Sequence, residues 1–426
     1  MLIPRSLPLI RSRCLFNTSV IHGYGQIRLH SSKIVKQGAS EIWVIGDGNA
    51  KNEAPSIALA EALGLPFEVK RVVPKNSYNW LPLNVQKWIL DFRYMGTRSN
   101  FSFGGAPKSL NTSGQFAFFL ESSDSAPLTP PLPKFVIGNG IQTVAACIEV
   151  AKASQHQTVS VFTSNPKLAF GFFDAVVLPN HEYVKLTRKG LTVSFQKNCI
   201  ITQGILHGIT PKFLEKVSQD AKVLVNPIFL DRSSKSPVVG ILIGGKNTSF
   251  RFYAEEAKSF ARDIERLVND FDTRVMLTYT PDTPSYVREA IEPVIERLQK
   301  ENKPIQRWNG DEPNSYHAIL ATATHLLVTG DSMTMTCEAI GTRKPVYIVG
   351  QEVCQGLLGA FHRYWKEKQY TRRFHLLKSN RRLTWDIFSH VGDHPPFSTT
   401  VIEESKRIAP MIQELYDNRR ERHEKR

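Results

Sequence analysis

The sequence predicts an α/β protein made of two Rossmann-like, doubly wound domains that face a cleft. Short Val- and Ile-rich runs alternate with helix-spaced segments, once across residues 41–182 and again across 238–350. Such runs suit parallel strands covered on both faces. A glycine-bearing turn follows the first strand of each set, at Gly46-Asp47-Gly48 and at Gly244-Gly245. The segment "NPIFLDRSSKSP" (226–237) is polar and Pro-bearing, as an interdomain linker would be. The chain has 426 residues, ample for two cores because a single core stops growing near about 250–300 residues.

In the first domain (41–225), "EIWVIGD" (41–47) is a strand running into a turn. "NEAPSIALAEALG" (52–64) has apolar residues at helical spacing and ends on Gly64, where a C-cap belongs. "FEVKRVV" (67–73) alternates as a strand does, completing a β-α-β unit. "NWLPLNVQKWIL" predicts a covering helix, whereas the Ser-, Gly- and Pro-rich stretches that follow predict loops. "KFVIGNG" (134–140), "TVSVFTSNP" (158–166) and "DAVVLPNHE" (174–182) are further strands, with a helix over 141–154. A loop and then a helix precede the linker.

In the second domain (238–350), strands are predicted at "VVGILIGG", "TRVMLTYTPDTP", "IQRWNG", "HLLVTGDS" and "KPVYIVG", with four helices between them. The first of these helices, 253–271, carries acids in its opening turn, where the helix dipole favours them. Residues 351–426 are aromatic, basic and helical in pattern, and a last helix near 399–417 is placed to pack back across the domains.

The formal net charge is +15, unevenly distributed. Residues 1–40 hold Arg5, Arg11, Arg13, Arg28, Lys33 and Lys36 and no acid; without them the charge is +9. An Arg-rich, acid-free leader with "RLHSS" at 28–32 predicts a mitochondrial transit peptide over 1–40. Prolines and arginines interrupt the apolar run that a secretory signal needs. Hydrophobic content of 41% and charged content of 22% are ordinary for a globular protein. No apolar run reaches the length of a spanning helix. The five cysteines are scattered without a CxxC pair, which predicts neither a disulfide framework nor a zinc site, and no metal ligand set stands out. Nucleic-acid recognition motifs, HExxH, GxSxG and kinase motifs are absent.

Two turns carry chemistry in the second domain. In "GGKNTSFRF" (244–252), Gly244 and Gly245 admit close backbone approach, Lys246 adds charge, and Thr248 and Ser249 can donate to a phosphate. The same residues also suit a plain tight turn. In "TGDSMTMTCEA" (329–339), Ser332 is a helix N-cap whose following amides can face a diphosphate, and Asp331 and Glu338 can reach a ribose or a sugar. The plainer alternative is a capped helix with Met333 and Met335 inward and Glu338 toward solvent. In the first domain, Asp47, Gly48 and Asn52 either meet an acceptor or close Asx turns. His181 and His207 are candidate bases, although a histidine without a visible partner is more often structural.

Three stretches together, "IWVIGDGNAKNEAPSIALAEALG", "ILIGGKNTSFRF" and "LLVTGDSMTMTCEAIGTRKPVYIV", resemble the mitochondrial fission "elongated mitochondria" family, over about residues 41–415. The third is the most specific, through its ordered Asp-Ser, Met, Glu-Ala and Lys-Pro-Val. It is also similar to the donor half of GT-B glycosyltransferases, which implies Gly244, Gly245, Ser332 and Glu338 as nucleotide contacts. The family resemblance implies a fission or morphology factor on the outer mitochondrial surface, with a dynamin-related GTPase as partner. The leader implies the matrix instead. The enzymatic alternative is a sugar-nucleotide-dependent glycosyltransferase using a nucleoside-diphosphate sugar. Whether the chain is catalytic is left open by its residues.

Overall fold

The computed structural model describes residues 40–94, 119–122, 128, 130–188, 197–308, 316–374, 397–398 and 403–425. The predicted leader lies outside the described residues except for Ser40, as do most of the Ser- and Gly-rich loop and much of the stretch after 374.

The first half runs β1 (Ile42–Gly46), α1 (Ala50–Leu63), β2 (Phe67–Pro74), α2 (Leu83–Arg93), β3 (Leu120–Ser122), β4 (Phe135–Gly138), α3 (Val144–Ala153), β5 (Val159–Phe162), β6 (Ala175–Pro179), α4 (Asn180–Arg188) and β7 (Cys199–Thr202). These strands form one sheet in the order β3-β2-β1-β4-β5-β6-β7, parallel except for β3. Helix α1 starts where Asn49 accepts from the Lys51 amide. It stops where Gly64 takes φ +70°, a left-handed cap that costs glycine little.

The second half runs α5 (Pro211–Asp220), α6 (Pro227–Leu230), β8 (Val238–Ile243), α7 (Ala254–Asp270), β9 (Arg274–Tyr279), α8 (Ser285–Lys300), β10 (Ile305–Trp308), α9 (Tyr316–Thr322), β11 (His325–Thr329), α10 (Met333–Gly341), β12 (Val346–Val349), α11 (Gly356–Glu367), β13 (Thr371–Arg373) and α12 (Glu404–Glu424). Its sheet is parallel throughout, in the order β10-β9-β8-β11-β12-β13. Both halves are thus doubly wound α/β domains, as predicted. The unpredicted strands β3, β7 and β13 all lie at sheet edges. They are three or four residues long, and β3 and β13 pair with a neighbouring strand without an apolar run of their own.

Each sheet buries a core on both faces. In the first domain α2 and α3 cover one face and α1 with α12 the other. In the second, α7 and α8 cover one face; α5, α9, α10 and α11 cover the other. Ile209, Ala221, Val225 and Phe229 belong to that last core, so the change from one sheet to the other falls ahead of 226–237.

The last helix forms as α12, and its apolar side packs onto the first domain rather than across both domains. Ile408 and Ile412 are fully buried beside Leu59 of α1, and Tyr416 lies 5.3 Å from the Phe135 ring. Arg419 pairs with Asp174 and donates to the carbonyls of His156 (2.8 Å) and Thr158 (2.9 Å). Arg419→Met is expected to cost about 2 kcal/mol, because it strands those acceptors; urea denaturation reads the loss. Among the described residues, no helix is long and apolar enough to cross a membrane.

Candidate functional site

In a doubly wound sheet the crevice opens where adjacent strands lead off in opposite directions. In the second sheet that point lies between β8 and β11, and in the first between β1 and β4. Residues 244–249 and 330–332 follow β8 and β11, whereas Asp47 and Gly48 follow β1 and Gly140 follows β4. The candidate residues near the ends of these strands, far apart in sequence, therefore meet at two switch points.

At the second-domain switch point the Gly-rich turn closes on Asp331. The Gly245 amide donates to Asp331 Oδ2 at 2.8 Å, and the Thr329 hydroxyl donates to Oδ1 at 2.5 Å. The Gly244 amide donates to Thr329 Oγ1 at 2.8 Å, and Asn247 Nδ2 to the Asp331 carbonyl at 2.7 Å. A Cβ on Gly244 would sit 2.0 Å from Asp331 Oδ2, so only glycine leaves room for the acid. Burial pushes Asp331 up to about 6, against the Thr329 and Gly245 hydrogen bonds and the charge of Lys51.

The first domain repeats this device. The Gly48 amide donates to Glu53 Oε1 at 2.9 Å, and Arg71 clamps the same carboxylate at 2.8 and 2.9 Å. A Cβ on Gly46 would lie 2.3 Å from that oxygen. Asp47 accepts from the Asn49 amide (3.0 Å) and from Asn52 Nδ2 (2.7 Å), closing an Asx turn. In both turns an amide that would suit a phosphate is already bonded to the chain's own carboxylate.

Lys51, at the start of α1, reaches the second domain and pairs with Asp282 at 2.9 Å. Burial alone would raise Asp282, but its bond to Lys51 and the lysine's charge hold it below the usual carboxylate range. Both side chains are partly exposed, so the bridge itself contributes about 1 kcal/mol at most.

A cavity of about 230 Å³ opens beside the Gly-rich turn. Gly244, Gly245, Lys246, Thr248 and Asp331 line it, with Phe250, Phe252, Tyr253 and Tyr286 as an aromatic wall. The Phe250 and Phe252 rings stack 5.2 Å apart, 5° from parallel. Ser249, Ser332 and Glu338 are not in the lining. Ser332 caps α10, accepting from the Met335 amide at 3.2 Å. Glu338 does not face solvent, contrary to the plainer alternative. It takes a hydrogen bond from the Tyr316 hydroxyl, and burial pushes it up to about 7.

His181 and His207 are buried at the junction of the domains. The His181 ring meets Phe361 of α11 edge-on at 5.0 Å, and the His207 ring lies against Gly341. Burial brings both down to about 4. His362, also in α11, sits 2.7 Å from the Gly330 carbonyl and ties that helix to the Asp331 turn.

The sequence profile described as Mitochondrial fission ELM1 matches residues 50–416, most of the chain. The chain belongs to the mitochondrial fission ELM1 family. It is 27% identical to the mitochondrial fission protein ELM1 of Arabidopsis thaliana over 399 residues, covering 84% of this chain and 88% of that one. It is 22% identical over 333 residues to an uncharacterized protein, RP120, of Rickettsia prowazekii (strain Madrid E), covering 72% and 82%. Among solved structures it is similar to the UDP-GlcNAc 2-epimerase of Methanocaldococcus jannaschii in complex with UDP-GlcNAc and UDP. There the TM-score is 0.41 at 12% identity, over 88% of this chain and 99% of that chain.

Within this ELM1-family chain, sequence reasoning missed Lys51, Glu53, Arg71, Asp282, Tyr316 and Thr329. Glu53 and Arg71 meet only once α1 and β2 pack, and Lys51 and Asp282 lie in different domains. One local signal existed: a glycine closes β1 (Gly46) and directly follows β8 (Gly244), the residue that leaves space for a buried carboxylate.

Proposed function

We propose that this ELM1-family chain acts at mitochondria in fission or organelle shape. The observation that carries this reading is the family match across residues 50–416, which spans both domains and returns through α12. Deleting the gene is the direct test. Unchanged mitochondrial shape, with a tagged protein still localised to the organelle, overturns the proposal. Protease protection of a C-terminally tagged protein then assigns the partner. A tag cleaved in intact mitochondria places the chain on the outer surface, within reach of a dynamin-related GTPase. A protected tag places it in the matrix, where the basic leader would send it and where no cytosolic GTPase can be met.

A second reading is favoured by the cavity at the β8–β11 switch point. Its aromatic wall suits a stacked base, and Lys246 and Thr248 suit a phosphate. The ligand class is a nucleoside-diphosphate sugar, held for recognition or for glycosyl transfer. Asp331 and Asp282 flank the turn, and Lys51 is taken up by Asp282, so the ligand's phosphates depend on Lys246 for countercharge. Thermal-shift assays with UDP-, GDP- and ADP-sugars test this reading. Binding should tighten as the pH falls through about 6, where Asp331 loses its charge. Lys246→Ala should weaken it about tenfold without loss of fold. No stabilisation by any of these nucleotides removes the reading.

A further inference from the structure

A second, larger cavity of about 810 Å³ lies at the opposite end of the second sheet from the Gly-rich turn. Val238, Arg274 and His325, which begin β8, β9 and β11, line it, so it sits where the parallel strands start. Four further basic residues line it from separate elements. Lys222 follows α5, Arg232 and Lys235 stand on the loop after α6, and Lys344 precedes β12.

The walls are held in place by polar contacts. Arg274 donates to the carbonyls of Ile228 (2.5 Å), Asp231 (2.9 Å) and Ser236 (2.6 Å), which fixes the loop carrying Arg232 and Lys235. Lys344 Nζ donates to the carbonyls of Leu320 (2.6 Å) and Ala321 (2.8 Å), leaving one of its three N–H donors for another acceptor. Asp231 is the one carboxylate among the described lining residues, and its side chain is taken up by Ser233. Lys222, Arg232 and Lys235 make no ion pair among the described residues. Burial and the nearby Arg232 charge bring Lys344 down to about 8. A concave site with several cations and no free acid lacks its counter-charge.

We propose that this cavity binds a phosphate monoester or diphosphate group through Lys222, Arg232, Lys235 and Lys344. Arg232 supplies a fork that can grip two phosphate oxygens, while the lysines act as point charges. The same chemistry is offered by a soluble phosphate and by an anionic lipid headgroup. Because the site faces away from the cleft, it operates whether or not the cleft takes a nucleotide sugar.

The full chain is titrated with inorganic pyrophosphate, and separately floated with phosphatidylcholine vesicles with or without phosphatidic acid. Arg232→Gln/Lys235→Gln is the test variant; both side chains are exposed, so the fold should survive. Lys258→Gln/Arg262→Gln removes two exposed charges from α7, outside the lining, as the control. The expected result is binding that weakens about tenfold in the test variant and holds in the control. Pyrophosphate binding alone assigns a soluble ligand; flotation only with phosphatidic acid assigns a headgroup. Binding of neither probe, or equal weakening by the control pair, overturns the proposal.

Discussion

Gly244→Ala is expected to cost about 3 kcal/mol of stability, at the upper end of what one forced methyl costs in a packed interior. The new Cβ would fall 2.0 Å from Asp331 Oδ2 and 2.5 Å from Cγ. Asp331 has little freedom to move aside, because its two oxygens are tied to the Gly245 amide and the Thr329 hydroxyl. Pushing the carboxylate away would leave both donors buried and unpaired, adding about 1–3 kcal/mol for each. The turn itself is therefore expected to shift, which also deforms the neighbouring cavity. Asp331→Ala should cost about 2 kcal/mol by the same loss of acceptors. The double variant is the decisive measurement. If the contact is the cause, Gly244→Ala adds little once Asp331 is already Ala. Additive losses in urea denaturation would show that the clash is not what makes glycine necessary.

Lowering the pH from about 7.5 to about 5.5 is expected to cost roughly 2–3 kcal/mol of stability. His181, His207, His317 and His362 are each brought from 6.5 to about 4, all by burial. The unfolded chain takes up these protons first, so each histidine favours unfolding as the pH falls below 6.5. At about pH 5.5 that amounts to about 1.4 kcal/mol apiece. Asp331 and Glu338 act in the opposite sense. Their pKa values are raised to about 6 and about 7, so the folded state takes up their protons first and gains stability over the same interval. Together they return about 2.7 kcal/mol. Burial raises Glu61 and Glu182 as well, which trims the loss a little further. Glu338→Gln removes about 1.9 kcal/mol of the opposing gain and should make the acid loss steeper. Denaturation curves at the two pH values check both statements. Stability that is flat or rising toward pH 5.5 would mean that these imidazoles are more accessible to water than their packing shows.

The strands legible in the sequence are those that own their burial. β1, β4, β8 and β11 are continuous apolar runs, and each is almost wholly buried between two helical layers. The cap at Ser332 was legible because capping is local: its hydroxyl accepts from an amide three residues on. β13, with the sequence Thr-Arg-Arg, carries no apolar run and is a strand only because β12 offers it a partner. Helix α5 was visible as a helix, but amphipathic spacing gives an apolar stripe without naming the sheet it packs against.

The residues of the candidate site divide in the same way. Gly244, Gly245, Lys246 and Thr248 were found because glycine, a cation and a hydroxyl after a strand form a local pattern, and they do line one cavity. Glu338 was also singled out, but its environment was not legible, since its hydrogen-bond donor Tyr316 lies 22 residues earlier on another helix. By itself the sequence determined two parallel α/β layers, their order and the turns that lead out of them, because periodicity and capping act over a few residues. The tertiary structure alone decided which acids fill those turns, which histidines lie dry between the domains and where unpaired cations gather. Those outcomes depend on burial and on contacts between distant segments, and desolvation exists only once the layers have closed.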